Sequence, residues 1–168
     1  MNNRLGIPMH ISYIGLGSNL DNPVKQIKLA ISSILSHHNI DYLDESGLYE
    51  SKPYDNSQQP NYINAVLKIA TTLSAHELLH YLQSIEQQQA RERKKKWAAR
   101  TIDLDILFFN KDNIFTEELT IPHYDIKNRL FFLYPLFEIE PDYIFPDGTI
   151  LRECLNQFLL SDLHKISS

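Results

Sequence analysis

Two aspartates on one predicted strand are the first residues whose spacing points to chemistry. The stretch RTIDLDILFF (residues 100–109) alternates an apolar set with a second set that begins with two acids: Ile102, Leu104, Ile106 and Phe108 against Asp103, Asp105, Leu107 and Phe109. A period of two is typical of a strand, so Asp103 and Asp105 point the same way, roughly 6.6 Å apart. At an effective dielectric constant near 20, two carboxylates at that distance repel each other by about 2.5 kcal/mol.

The repulsion between these carboxylates must be offset by solvent, an arginine, a shared proton or a metal ion. Mg²⁺ prefers a few carboxylate oxygens together with water and phosphate oxygens, so the pair suits two ions on a phosphate chain. The simpler alternative is a solvated strand face that carries two aspartates. Leu107 and Phe109 continue the same face, and their apolar character counts against that alternative.

A basic segment, RERKKKWAAR (residues 91–100), precedes this strand and holds six of the sixteen lysines and arginines. Arginine forks match phosphate oxygens, and we assign that role to Arg91 and Arg100. For Lys94 to Lys96 a solvated loop is the better interpretation. Trp97 is the only tryptophan, and in so polar a segment its ring suits stacking on a flat ligand or closing a lid better than a place in the core.

The stretch IPHYDIKNR (residues 121–129) supplies a third group of candidates. His123, Tyr124 and Arg129 are donors that suit phosphate, although a single histidine more often has a structural role. The early GLGSN motif lacks both the third glycine of the dinucleotide fingerprint and the lysine of a phosphate-binding loop. It therefore predicts a tight turn from strand to helix.

The elements that position these residues follow from periodicity and caps. The chain reads as strand 11–17, a helix capped by Asn22, a strand over 40–51 interrupted near Gly47, strand 62–71, a helix opened by the capping box of Ser74 and Glu77, and the aspartate strand. This β-α-β-β-α-β order predicts an α+β, ferredoxin-like fold, with an antiparallel sheet and two helices on one face. C-terminal additions are a helix after Asp125, bent or restarted at Pro135, a turn, and a final helix over 149–160.

Composition predicts one ordinary globular domain spanning residues 1–168, with residues 1–10 as a poorly ordered extension. Hydrophobic residues make up 43% and charged residues 22% of the 168 residues. No apolar run approaches the ~20 residues of a membrane span, and the N-terminus lacks a signal-peptide pattern. The single cysteine, Cys154, fits a reducing compartment, so the expected location is the cytoplasm. A net charge of −5 argues against a general nucleic-acid binder.

Four stretches in the same order resemble one family. YIGLGSNL, QQPNYINAV, RTIDLDIL and IPHYDIKNRLFFLYPLFEIEPD are similar to 6-hydroxymethyl-7,8-dihydropterin pyrophosphokinase of folate biosynthesis. The resemblance runs from about Ile11 to beyond Gly148. It implies transfer of the pyrophosphoryl group of ATP to the hydroxymethyl group of the pterin, with release of AMP. It also implies a monomer that binds these two small substrates, without nucleic acid or membrane.

The resemblance also implies a role for each matching position. Asp103 and Asp105 correspond to the pair that binds two Mg²⁺ ions, and with Arg91 and Arg100 they form the catalytic set. The positions implied around ATP are Gln83, Glu86, Arg91, Arg100, Ile106, His123, Tyr124 and Arg129. The positions implied around the pterin are Ser51, Lys52, Tyr54, Tyr62, Asn64, Trp97 and Phe131.

The chain departs from the family pattern at three points, the first of which is a loop between Arg93 and Trp97 that is one residue shorter than in close relatives. Ala98 and Ala99 stand where a Gly-Pro pair is common, and Lys52 stands where a proline is common. Two alternatives stay open at this point. An RNA-binding module would need no paired carboxylates and would show an aromatic RNA-binding motif that we do not find. Another metal-dependent phosphoryl or nucleotidyl transferase would use the same aspartate pair.

Overall fold

The computed structural model describes residues 6–20, 22–52, 60–91, 101–158 and 163–167. Its strands are β1 (His10–Ser18), β2 (Ile40–Glu45), β3 (Leu48–Ser51), β4 (Tyr62–Thr71), β5 (Asp103–Phe109), β6 (Ile114–Phe115), β7 (Thr120–Ile121) and β8 (Leu163–Ser167). Its helices are α1 (Pro23–Leu35), α2 (Ala75–Arg91), α3 (Leu130–Ile139) and α4 (Leu151–Leu155), with a 3₁₀ turn at Ile126–Asn128.

One antiparallel sheet contains six of these strands in the order β5-β1-β4-β3-β8, and β2 also pairs with β4. Strands β6 and β7 form a separate two-stranded hairpin. The α+β class is therefore confirmed. The predicted strand over 40–51 is also confirmed as two segments, β2 and β3, which are separated by Ser46 and Gly47.

Helices α1 and α2 cover one face of the sheet, which we call the helix face. Its core contains the apolar side of β4 predicted from the sequence (Ile63, Ala65, Leu67 and Ile69). Both predicted helix starts are confirmed. The Asn22 side chain accepts a hydrogen bond from the amide of Lys25, and Ser74 and Glu77 exchange backbone and side-chain bonds of 2.9 and 3.1 Å.

The opposite face of the sheet carries Asp103 and Asp105, and we call it the aspartate face. Helices α3 and α4 contribute to a second core there, which includes Tyr13, Val66 and Leu107 from the sheet. Among the described residues no helix is long and apolar enough to cross a membrane.

A β-bulge in β5 changes the alternation predicted for this strand. Tyr13 of β1 pairs with Phe108, but the next residue, Ile14, pairs with Ile106, so Leu107 has no partner in the register. Phe108 therefore lies in the core of the aspartate face, and Phe109 in that of the helix face. The prediction that placed Phe108 with Ile106 was wrong, because one extra residue reverses every side chain beyond it. The aspartates precede the bulge and keep the predicted common face.

Three further predictions need correction. Gly15 and Gly17 lie inside β1, which confirms the strand predicted over 11–17, and the turn predicted for the GLGSN motif does not include them. The C-terminal helix is limited to Leu151–Leu155 and is followed by β8, an unpredicted strand that extends the sheet beside β3. After the 3₁₀ turn, α3 begins at Leu130 and continues through Pro135, so the restart at Pro135 is wrong and the bend there stays a prediction. Residues 1–5 lie outside the described residues, so the expectation of a poorly ordered N-terminal extension stays a prediction.

Candidate active site

Asp103 and Asp105 lie at the start of β5 with one residue between them, and both are half-buried. Their register partners on β1 are glycines, Gly17 opposite Asp103 and Gly15 opposite Asp105. Because paired residues share a face, no neighbouring side chain of β1 stands beside either carboxylate. Oxygen donors that retain access to solvent fit Mg²⁺, which keeps several waters. Over the described ranges, no three His, Cys, Asp or Glu side chains are grouped to hold a metal.

Glu86 of α2 is attached to the strand between the two aspartates. Its Oε2 accepts a hydrogen bond of 2.9 Å from the backbone amide of Leu104. Strand β5 lies at the edge of the main sheet, so this amide has no strand partner on its outer side. The carboxylate therefore satisfies an edge donor and fixes the end of α2 beside the aspartate pair.

His123 lies within electrostatic range of Asp105 and is held by two hydrogen bonds. Its amide donates to the carbonyl of Leu107 at 3.0 Å, and its Nδ1 accepts from the amide of Asp125 at 3.2 Å. Burial lowers the pKa of His123 below its ordinary 6.5; the Asp105 carboxylate opposes this shift and the Arg129 cation adds to it. With Nδ1 accepting, the neutral ring carries its proton on Nε2, which makes Nε2 a donor.

Arg129 is oriented by its neighbours on the same segment. Its Nε lies 2.8 Å from Oδ2 of Asp125, one helical turn earlier, and its guanidinium carbon lies 5.6 Å from the centroid of the Phe131 ring. Both members of the ion pair are largely buried. Tyr124 is different: it is exposed, and its ring stacks on His123 at 4.9 Å. Sequence reasoning did not select Asp125, although its spacing of four from Arg129 was a usable signal.

Three residues of the predicted pterin set lie together on the aspartate face. Ser51 pairs with Tyr62 across β3 and β4, and Asn64 follows Tyr62 on the same side of β4. The Ser51 hydroxyl donates to Oδ1 of Asn64 at 3.4 Å, and Nδ2 of Asn64 donates to the carbonyl of Leu16 at 3.4 Å. Asn64 is only 2% exposed. A buried amide held in this way presents a fixed donor and acceptor pattern.

The register relates this amide to the carboxylates. Asn64 pairs with Gly17, and Gly17 pairs with Asp103, so the three residues form one row across β4, β1 and β5. With strands about 4.8 Å apart, Asn64 and Asp103 are separated by roughly 10 Å on one face. The structure therefore brings the predicted pterin and metal residues to neighbouring positions.

The remaining candidates for the ATP and pterin sites have fewer contacts that relate them to the aspartate pair. Phe131 is the second residue of α3 and packs against Phe132, with ring centroids 4.9 Å apart. Gln83 is exposed on α2, and Lys52 is exposed after β3. The side chain of Ile106 is buried in the core of the helix face, so a ligand near Asp105 could contact Ile106 only through its backbone. Tyr54, Trp97 and Arg100 lie outside the described residues; α2 ends at Arg91, whose side chain also lies outside them.

Comparison with known proteins gives consistent matches over most of the chain. A family model described as 7,8-dihydro-6-hydroxymethylpterin-pyrophosphokinase (HPPK) matches residues 13–141. A Haemophilus influenzae protein named 2-amino-4-hydroxy-6-hydroxymethyldihydropteridine pyrophosphokinase is 47% identical over 150 residues, covering 89% of this chain and 94% of that protein. A Pseudomonas aeruginosa protein of the same name is 40% identical over 143 residues, covering 85% and 88%.

Solved structures show the same fold at low identity. The crystal structure of Plasmodium falciparum HPPK-DHPS wild type with pterin and p-hydroxybenzoate superposes with a TM-score of 0.75 at 16% identity. The match covers 95% of this chain and 47% of that longer chain. A second HPPK-DHPS structure, in complex with substrates, gives a TM-score of 0.72 over 92% of this chain and 44% of the other.

Proposed function

The chain belongs to the 7,8-dihydro-6-hydroxymethylpterin-pyrophosphokinase family, and from that membership we propose which of its residues act in the reaction. The protein transfers the pyrophosphoryl group of ATP to the hydroxymethyl group of 6-hydroxymethyl-7,8-dihydropterin in folate biosynthesis. In this reaction the pterin hydroxyl oxygen forms a bond to the β-phosphorus of ATP. The bond between the β-phosphorus and the bridging oxygen of the α-phosphate breaks, and AMP leaves.

The observation that carries the residue assignment is the row of Asn64, Gly17 and Asp103 across three adjacent strands. A pterin ring held at Asn64 would direct its hydroxymethyl group along the sheet toward the aspartates. The separation of roughly 10 Å leaves room for the pterin edge and the phosphate chain between them. Positioning of this kind supplies much of the catalysis in phosphoryl transfer.

Asp103 and Asp105 would hold two Mg²⁺ ions, since paired half-buried carboxylates without a neighbouring side chain on β1 suit that ion. Bound Mg²⁺ neutralises phosphate charge and fixes the reacting groups in line. Glu86 keeps β5 and α2 together behind this pair through the Leu104 amide. The role that we assign to Glu86 is therefore to hold the ATP site in its geometry. Gln83, on the same helix, is assigned to contact the nucleotide.

We assign five side chains as hydrogen-bond donors to the phosphates of ATP: His123, Tyr124, Arg129, Arg91 and Arg100. His123 is a neutral donor above its lowered pKa, with its Nε2 proton set by the bond from Asp125 to Nδ1. Arg129 is held by Asp125 at 2.8 Å, so less conformational freedom is lost when it contacts an anion. We assign Arg91 and Arg100 to charge that develops on the transferred group.

The pterin site is assigned to both polar and aromatic residues. Asn64 and Ser51 supply hydrogen bonds to the ring edge, and Tyr62 lies beside them on β4. Phe131, in the first turn of α3, is assigned to one aromatic wall, and Trp97 is assigned to the other. Lys52 and Tyr54 complete the set on the family pattern. Two aromatic walls suit a flat ring because stacking and edge contacts add to its burial.

The same reasoning extends to the fold and the setting of the protein. The strand order β5-β1-β4-β3 with α1 and α2 on one face supports a ferredoxin-like core in a single domain. A monomer is the oligomeric state that we propose, from the family resemblance alone. The cytoplasm is the proposed compartment, because the lone Cys154 has no partner for a disulfide within the chain.

The direct test measures AMP formation from ATP and Mg²⁺ with and without 6-hydroxymethyl-7,8-dihydropterin. We expect AMP only when the pterin is present. The matched control is 6-methyl-7,8-dihydropterin, which lacks the attacking hydroxyl and should give no AMP. AMP formation without any pterin would instead indicate hydrolysis of ATP, with water as the acceptor of the pyrophosphoryl group, and would contradict the proposed pterin transfer.

A further inference from the structure

Gly15 and Gly17 are the two glycines of β1, and both point toward the aspartate face. Glycine is usually required where φ is positive, and among the described residues the glycines with positive φ are Gly6 and Gly148. Gly15 and Gly17 are ordinary extended residues paired with β4 and β5. Their backbone would accept any residue, so the reason for glycine lies in the space above them.

The space above Gly17 is occupied by Asn64. A Cβ atom added to Gly17 would lie 2.7 Å from Nδ2 of Asn64, closer than carbon and nitrogen atoms approach without a bond. Nδ2 is the end of a side chain, so the amide would turn away and the strands would keep their pairing. That movement would break its bonds to the Leu16 carbonyl and the Ser51 hydroxyl.

The space above Gly15 is occupied by a different neighbour. A Cβ atom there would lie 2.7 to 3.0 Å from three ring carbons of Phe132. Phe132 is 4% exposed and belongs to the core of the aspartate face, so it has little room to move. Displacing it would shift the start of α3 and with it Phe131, which packs against Phe132.

We propose that Gly17 is a positioning residue for the Asn64 amide, and that Gly15 has the same relation to Phe131 through Phe132. This inference rests on the proposed function, in which Asn64 and Phe131 contact the pterin. On β1 the two glycines leave no side chain beside Asp103 and Asp105, and Asn64 and Phe132 occupy the positions that an added Cβ atom would take. The two glycines of the GLG sequence thereby position the Asn64 amide, which binds the ring edge of the pterin, and the Phe131 ring, which forms one aromatic wall. They do so without contacting the pterin themselves.

A double-substitution cycle tests the link between Gly17 and Asn64. We expect Gly17→Ala to raise the Kd for the pterin about tenfold or more, because the amide loses its alignment. The Kd for an ATP analogue with Mg²⁺ should change by less than about twofold. In the Asn64→Ala background, Gly17→Ala should have almost no further effect on the pterin Kd, since the group it displaces is absent.

Gly15→Ala is the matched control, because it adds the same methyl group two residues away on the same strand face. Its effect on the pterin Kd should be equal in both backgrounds, since it acts through Phe132. A Gly17→Ala effect that persists undiminished in the Asn64→Ala background, or that falls on the ATP analogue, overturns the proposal.

Thermal unfolding gives a second readout that needs no ligand. With no conflict above it, Gly→Ala in a strand stabilises, so a purely backbone role predicts a higher Tm for Gly17→Ala. Our proposal predicts that Gly17→Ala lowers the Tm of the wild-type protein. In the Asn64→Ala protein the same substitution should leave the Tm unchanged or raise it. A wild-type protein that binds no pterin would refute the proposed function, whereas this unfolding cycle would still decide whether Gly17 holds Asn64 in place.

Discussion

Replacing Asp105 by asparagine should change stability and ligand response in opposite directions. The substitution keeps the shape of the side chain and removes one of two like charges that lie roughly 6.6 Å apart on β5. Their repulsion is about 0.6 kcal/mol in water and about 2.5 kcal/mol at an effective dielectric constant of 20. Both aspartates are half-buried, so a relief of about 1 kcal/mol is a reasonable value after solvent screening. For a protein of this size that raises Tm by about 2–4 °C.

The response to ligand should have the opposite sign. For wild type, an ATP analogue with Mg²⁺ at 100 times its Kd adds about 2.7 kcal/mol of stability, equivalent to about 5–11 °C. Asp105→Asn should lose most of this shift, because a carboxylate oxygen is a far better Mg²⁺ ligand than an amide. Asp105→Asn should therefore have a higher Tm than wild type without ligand and a lower Tm than wild type with the ATP analogue and Mg²⁺. Turnover should fall at least about 100-fold.

Thermal unfolding with and without the analogue, paired with the AMP assay, measures both effects. Asp112→Asn is the control, since it makes the same charge change at an exposed residue after β5. It should alter neither the ligand response nor turnover. A variant at Asp105 that melts lower than wild type without ligand, yet keeps the full Mg²⁺ and ATP shift, would refute the metal assignment and the electrostatic argument together.

Three further outcomes follow from the site. Because the pKa of His123 is lowered from 6.5, the neutral ring contributes stability that is complete above pH 6.5 and is lost as pH falls through the folded-state pKa. His123→Asn should flatten the pH dependence of Tm in that acidic range, and an unchanged profile would contradict the burial argument. Glu86→Ala removes the acceptor of the Leu104 amide and should lower the free energy of unfolding by about 1.5–3 kcal/mol in urea titrations; a loss below about 0.5 kcal/mol would mean that the bond contributes little. Arg91→Ala should slow AMP formation by roughly 10²–10³ with little change in pterin Kd, whereas Lys95→Ala should change it little, and equal losses at both would indicate a diffuse charged segment.

Local patterns in the sequence were sufficient for several features. The alternation in RTIDLDIL placed Asp103 and Asp105 on one face, and the spacing of Ser74 and Glu77 identified the start of α2. These features depend on residues only two or three positions apart, whose relative directions are fixed by strand or helix geometry. The same logic failed at Phe108, because the bulge arises from the pairing of β5 with β1 and has no signal in β5 alone.

From the sequence alone we could infer the elements of the core, the α+β class, the shared face of the two aspartates and, from its motifs, the family. The folded structure was needed to show that Asn64 lies in one row with Gly17 and Asp103, that the Asp105 carboxylate acts on His123, and that β8 extends the sheet beside β3. These relations join residues far apart in the chain. They depend on strand order and register, which are fixed by the burial of both sheet faces together and not by any one segment.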